Sequence, residues 1–444
     1  MAKVQLEKKL FLLLSLLLLG GSELGASRSQ VKFLPGFDGP LPFELETGYV
    51  GVDASEDVQF FYYFVKSQSD PKVDPLLIWF TGGPGCSSFT GFVYEIGPLY
   101  FDALQTDASL PKLVLNPNSW SQAANIIFAD FPVGTGFSYG RTSAASHSTD
   151  LQACGQAHHF VRKWFIDHPE FLSNPFYVGG DSYAGIPVPI IVQLLANGNE
   201  QGIQPYINLQ GYLLGNPATN SDFESNYQIP FAHGMGLISD ELFESLQKKC
   251  NGKYFNVDPR NTECLGEVQA YRQCITGLNA AYILEPQCGI ASPRPHELFY
   301  GIKMSVYEKN MKLNDPEPSS PCSKSRENGH KLSSIWLNNN DVRKVLHIRK
   351  GSIEEWKRCN YGVPYTTTIQ DSFPYHVNLS TKGYRSLIYS GDHDMTVTFL
   401  GTQAWIRSLN HSIVDDWRPW LVEGQTAGYT RTYSNRMTFA TVKV

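Results

Sequence analysis

The chain of 444 residues carries 42 acidic and 36 basic side chains, a formal net charge of −6, and is 42% hydrophobic and 18% charged. That balance leaves no electrostatic footprint for nucleic acid and points to no acidic partner. The length accommodates one large domain or two ordinary ones with a substantial core, and no low-complexity tract or internal repeat interrupts it.

In chain order, the first feature is a processing signal. Lys3, Lys8 and Lys9 precede an apolar run from Leu10 to Leu19 broken only by Ser15, and small residues follow to Gly25-Ala26-Ser27. This pattern predicts a signal peptide over 1–26, because the run falls well short of the roughly 20 apolar residues that span a bilayer. No later stretch is apolar enough to cross a membrane. Export is therefore expected, with no membrane association after cleavage.

Runs rich in β-branched and aromatic residues, bounded by Gly, Pro, Asn or Asp, predict strands at 59–65, 76–80, 124–130, 176–179 and 208–214. Between the third and fourth, Leu151, Cys154, Val161, Trp164 and Phe165 recur at helical spacing over 149–168. Strand and helix in alternation imply a mainly parallel sheet covered by helices. The stretch 221–335 breaks this rhythm. It holds five of the eight cysteines and the Pro-rich loop 314–321, and is read as an insertion covering the active site. The sheet pattern resumes at 385–390 and ends at 437–442.

The eight cysteines are 86, 154, 250, 264, 274, 288, 322 and 359. In an oxidising compartment they are disulfide partners, and without any C-x-x-C pair no metal or other cofactor is expected. Asn378-Leu379-Ser380 and Asn410-His411-Ser412 are candidate glycan acceptors on exposed loops, although two such matches also arise by chance at this length.

The chemistry concentrates in three motifs. Gly180-Asp181-Ser182-Tyr183-Ala184-Gly185 lies between a predicted strand and a helix beginning near Ile186, where Pro187 and Pro189 suit the first turn. This G-x-S-x-G pattern is a nucleophile elbow, whose sharp turn lifts Ser182 clear of the sheet. An ordinary strand–helix turn that happens to hold serine is the alternative. Thr81-Gly82-Gly83-Pro84-Gly85-Cys86-Ser87-Ser88 follows an early strand, where such hydrolases place one oxyanion donor. Gly83 and Tyr183 are the expected donors through their N–H groups. No phosphate-binding or dinucleotide pattern is present in this loop or in 134–140. The third motif, Gly391-Asp392-His393-Asp394, follows the strand at 385–390. There the chain order Ser, Asp, His puts the acid, and Asp394 is favoured over Asp392, which is read as structural.

Together with Phe131-Pro132-Val133-Gly134-Thr135-Gly136-Phe137-Ser138-Tyr139, these motifs resemble the serine carboxypeptidase family, and more narrowly its plant carboxypeptidase-like branch, some members of which are acyltransferases that use glucose esters. The resemblance implies an α/β-hydrolase fold with a mainly parallel central sheet, residues 27–220 and 336–444 forming the two parts of the hydrolase domain around the insertion 221–335. It implies pairs Cys86–Cys359, Cys250–Cys264 and Cys288–Cys322, with Cys154 and Cys274 left over. It also implies a secreted or vacuolar location. Peptidase members carry Asn where this chain has Thr81 and Glu where it has Asp181, side chains that hold a peptide's C-terminal carboxylate. Thr81, Gly82, Asp181 and Glu95 are therefore candidate substrate-binding residues, with recognition of a free peptide terminus weakened. Glu95 either forms an acid pair with Asp181 or is simply solvated. Arg358 either faces an anionic acceptor or, as a lone arginine, is a surface charge.

In the family the base histidine follows a segment similar to 437–443, and none of the eleven histidines stands there. The chain is thus expected to be weak or inactive, as a truncated or spliced form would be. Three functions remain: acyl transfer from an ester donor to a hydroxyl acceptor, carboxypeptidase action on a peptide C-terminus, or a non-catalytic binding protein.

Overall fold

A computed structural model describes residues 27–102, 110–288, 322 and 326–443. The expected signal peptide over 1–26 and the Pro-rich loop 314–321 lie outside the described residues.

The frame is a twelve-stranded sheet. In chain order its strands are β1 (Ser27–Val31), β2 (Leu45–Gly51), β3 (Val58–Val65), β4 (Leu76–Phe80), β5 (Asn125–Ala129), β6 (Tyr139–Gly140), β7 (Phe176–Asp181), β8 (Leu209–Gly215), β9 (Arg385–Gly391), β10 (Ile413–Val422), β11 (Gln425–Tyr433) and β12 (Met437–Val442). They lie side by side as β1-β2-β3-β5-β4-β7-β8-β9-β12-β11-β10, with β6 pairing to β3. The six strands from β5 to β12 in that row pair parallel. Antiparallel strands flank them on both sides. Every strand expected from the sequence is present within a residue or two.

Strands β2 to β5 are buried on both faces because they are apolar in both registers. In β3, Phe60, Tyr62 and Phe64 join one core, while Phe61, Tyr63 and Val65 join the other. Side chains alternate across a strand, so one aromatic run serves two cores. The first core takes in helices α1 (Asp150–Asp167) and α2 (Pro187–Glu200). A capping box between Thr149 and Gln152 starts α1, and the prolines expected in the first turn of α2 are there.

β1, β2 and the β10–β11 hairpin were not expected. β2 reads LETGYVG, and its Glu46 looks incompatible with burial. Its carboxylate instead accepts the Tyr62 hydroxyl at 2.7 Å and faces His168 Nε2 at 2.8 Å, which supplies the partners burial demands. The hairpin lies at the sheet edge with most of β10 exposed, so no apolar alternation marks it.

The insertion contributes α3 (Ser221–Gly234), α4 (Asp240–Cys250), α5 (Thr262–Ile275) and α6 (Arg326–Leu337). The first three form their own small core, tied by Cys250–Cys264. Cys86–Cys359 and Cys288–Cys322 are also bonded, and Cys154 and Cys274 are free. One loop expectation fails: Asn378 lies on helix α7 (Phe373–Thr381), where it faces outward because Leu379 and Ser380 take the buried side. Asn410 is exposed in a left-handed turn.

Candidate active site

Ser182 sits where β7 ends, at φ +55°, followed by a single 3-10 turn and α2. A non-glycine residue in that region costs energy unless its surroundings impose it. Here Ala218 N–H donates to Ser182 O at 2.9 Å, and the loop 82–88 closes from the other side. A Cβ on Gly82 would come within 2.7 Å of Ser182 Cβ and 2.8 Å of Tyr183 N, so only glycine lets the two loops meet. Gly83 follows at φ +123°, again in the region that favours glycine.

Ser182 opens into a cavity of about 600 Å³ that Thr81, Gly82, Gly83, Glu95, Asp181 and Asp394 also line. The insertion covers it with Ala281, Arg326, Gly329, His330 and Leu332. Seven of the eight expected site residues therefore share one cavity. Tyr183 does not line it, because its ring is buried behind the elbow.

Asp394 is held rigidly. Its Oδ1 accepts Thr396 N–H at 2.7 Å and Val397 N–H at 3.1 Å, and its Oδ2 accepts Asn216 Nδ2 at 2.9 Å. Burial pushes its carboxyl up to about 7 against those hydrogen bonds. Asp392 faces away from this network toward His393, at 2.6 Å. Among the described residues, no imidazole is hydrogen-bonded to Ser182 or Asp394.

Glu95 ends a π-helical turn at Gly91–Glu95 and accepts Trp79 Nε1 at 3.1 Å. It lines the cavity and is an exposed residue. Burial, then the charge of Asp181, pushes it well above the usual carboxylate range. Burial likewise pushes Asp181 up to about 7. Glu95 and Asp181 line the same cavity, and the charge of Asp181 acts on Glu95. Arg358 also departs from the surface reading: it is 8% exposed and lines the same cavity. The Cys86–Cys359 bond and the hydrogen bond from Ser87 N–H to Arg358 O, 2.8 Å, draw it inward. Thr81 Oγ1, Asp181 Oδ1 and Arg358 Nε and Nη2 are buried and find no hydrogen-bond partner among the described residues.

Asp181 has a pH signature. A carboxyl whose folded pKa is raised binds its proton more tightly in the fold, so its stabilising contribution is complete below the unfolded value and is lost as pH rises through the folded one. For Asp181 that window runs from 3.8 to about 7. Asp181→Asn removes this titration. The variant should gain stability relative to the wild type as pH rises from about 4 to about 7 and hold a level difference above that. Thermal unfolding of both proteins across this range measures it, and a difference independent of pH refutes it.

Three residues that sequence reading passed over support the site. Asn216, at φ +41° after β8, bridges Asp394 and Gly391 N–H. Asp130 accepts Ser87 Oγ at 2.6 Å, Ser88 N–H at 3.0 Å and Phe137 N–H at 2.9 Å. Asp150 binds Tyr183. An Asn before Pro217 in a strand-end turn was a readable signal for the first; the other two looked like ordinary strand-end and helix-start residues.

A parallel sheet, an elbow serine and an acid after a later strand define an α/β-hydrolase. The serine carboxypeptidase family model matches residues 35–444. The chain is 51% identical over 417 residues to "Serine carboxypeptidase-like 17" of Arabidopsis thaliana, covering 94% of this chain and 88% of that protein. It is 52% identical over 419 residues to "Serine carboxypeptidase-like 12" of the same plant, covering 94% and 89%. Among solved structures, KEX1(DELTA)P, a prohormone-processing carboxypeptidase from Saccharomyces cerevisiae, shares the fold with a TM-score of 0.71 at 21% identity, covering 93% of this chain and 90% of that one. The chain belongs to the serine carboxypeptidase family.

Proposed function

We propose that the site is built for acyl transfer through an ester on Ser182. The observation that carries this reading is the set of buried polar atoms of Thr81, Asp181 and Arg358, unpartnered among the described residues, around the cavity that Ser182 enters. Buried polar groups are almost always hydrogen-bonded, so such a cluster is what a polar substrate completes. Ser182 Oγ attacks the carbonyl of an activated ester, such as a glucose ester, and its proton passes to an imidazole base that Asp394 would orient and that the described residues do not supply. Gly83 and Tyr183 N–H hold the oxyanion, with Gly82 giving them close approach. The sugar leaves with that proton; the base then takes the proton of the acceptor hydroxyl as its oxygen attacks the acyl carbon, and returns it to Ser182 Oγ as the Ser182 ester bond breaks. Thr81 and Asp181, shorter in reach or lacking the amide of the peptidase pattern, favour this over capture of a peptide terminus.

Two observations favour other readings. Arg358 is a buried cation able to hold a peptide's C-terminal carboxylate, which favours carboxypeptidase action. The lack of an imidazole contact to Ser182 among the described residues favours slow turnover or a binding protein. Export through the secretory pathway, to the cell exterior or a vacuole, accords with the three disulfides, the exposed Asn378 and Asn410, and the fact that no helix among the described residues is long and apolar enough to cross a membrane.

Incubation with a glucose ester plus a hydroxyl acceptor, and separately with a blocked dipeptide, tests the choice. Acylated acceptor is expected. Release of the dipeptide's C-terminal residue at a comparable rate rejects the transferase.

A further inference from the structure

Asp150 opens α1, on the far side of the elbow from the cavity, and is completely buried. A carboxylate there is costly unless its oxygens are satisfied. Oδ1 accepts the hydroxyls of Tyr183 and, at 2.6 Å, of Tyr365. Oδ2 accepts Thr368 N–H, Thr368 Oγ1 at 3.3 Å and Ile369 N–H at 2.8 Å. Five donors from two separate segments, Tyr183 and 365–369, thus converge on one side chain. A helix-start aspartate needs none of them, since Thr149 already caps α1.

The segment 365–369 is itself pinned to the start of α1, where Tyr365 and Thr366 pair with Ser148 and Thr149. Tyr183 is therefore held from its phenol end by a fixed point. Its other end is the peptide that follows Ser182, 2.8 Å from where a Cβ on Gly82 would stand. The opposite loop is secured independently, by Asp130 through Ser87, Ser88 and Phe137.

We infer that Asp150 is a positioning residue for the reaction proposed above: by clamping the Tyr183 side chain it sets where the Tyr183 N–H points when charge develops on the substrate oxygen. This rests on the acyl-transfer reading of Ser182. Oxyanion donors act only within a narrow distance of the forming charge, so loosening the clamp should cost reaction rate rather than ground-state binding.

The test compares Asp150→Asn, Tyr183→Phe and the double variant in the full chain. Asp150→Asn keeps the shape but replaces one acceptor with a donor; Tyr183→Phe keeps the ring and removes only the hydroxyl, and serves if the first folds poorly. Inactivation by a fluorophosphonate is resolved into a saturation constant and a limiting rate. The limiting rate should fall about tenfold in Tyr183→Phe and up to about a hundredfold in Asp150→Asn, with the saturation constant unchanged and the double variant no slower than Asp150→Asn alone. Hydrogen exchange of the segment 182–186 should quicken in both, while that of 82–88 stays as in the wild type. Additive losses, an equal rise in the saturation constant, or unchanged exchange over 182–186 each overturn the inference. A wild type that never labels defeats the acyl-transfer reading instead, and the exchange measurement then still decides whether the clamp exists.

Discussion

Ser182→Ala should abolish covalent labelling by a fluorophosphonate and reduce any ester turnover by at least about a thousandfold, since loss of a hydrolase nucleophile costs up to about 10⁶ in kcat while oxyanion and binding contributions persist. Labelling accumulates with time, so it reports the serine even where turnover is slow. The fold should survive the change, because the backbone carbonyl of this residue accepts Ala218 N–H, a hydrogen bond that alanine keeps. Ser182→Gly makes the same chemical deletion and also relieves the backbone at φ +55°, so it should unfold at a temperature equal to or above that of the alanine variant. Mass spectrometry of the labelled protein and thermal unfolding check both statements. A Ser182→Ala protein that still labels has its nucleophile elsewhere, and the acyl-Ser182 reading is then wrong.

Gly82→Ala should reduce labelling by about a hundredfold or more without altering any reacting group, an effect comparable to losing an oxyanion donor. The added methyl would lie 2.7 Å from Ser182 Cβ, 2.8 Å from Asp181 O and 2.8 Å from Tyr183 N. Two of those atoms are backbone and cannot rotate away, so either the loop 82–88 or the elbow must retreat. The loop is bound to the rest of the molecule through Cys86–Cys359, through Asn360 N–H to Gly85 O at 2.8 Å, and through Asp130. It cannot move far as a unit, and overpacking of this kind costs about 1–3 kcal/mol of stability. Labelling rate and unfolding free energy, measured together, separate the two effects. Wild-type labelling in Gly82→Ala would mean that the two loops do not form a joint site.

Much of this architecture was legible beforehand because it is written in local pattern. The strands 76–80 and 437–442 match their expected bounds, since continuous apolar runs between turn residues have few alternatives once a parallel sheet is implied. The elbow and the glycine loop were legible for a stricter reason. A serine at φ +55° and a glycine whose Cβ has no room are backbone requirements, and backbone requirements leave residue-type signatures at adjacent positions.

Other features were opaque because their cause lies far along the chain. Arg358 reads as a surface charge until Cys86–Cys359, spanning 273 residues, carries it into the cavity. Asp150 reads as a helix start until Tyr183, 33 residues on, and Tyr365, 215 residues on, bring it their hydroxyls. Glu46 in β2 masks its strand until Tyr62 and His168 satisfy it.

From the amino-acid order alone follow the class of fold, the serine at its turn, the glycines beside it and the acid of the later strand, because steric rules and alternating burial act between near neighbours. Which charged groups are buried, which of them stand together around the cavity, and what anchors the elbow from behind emerge only once the chain closes. Those outcomes depend on desolvation and hydrogen-bond partners supplied by segments that meet nowhere except in three dimensions.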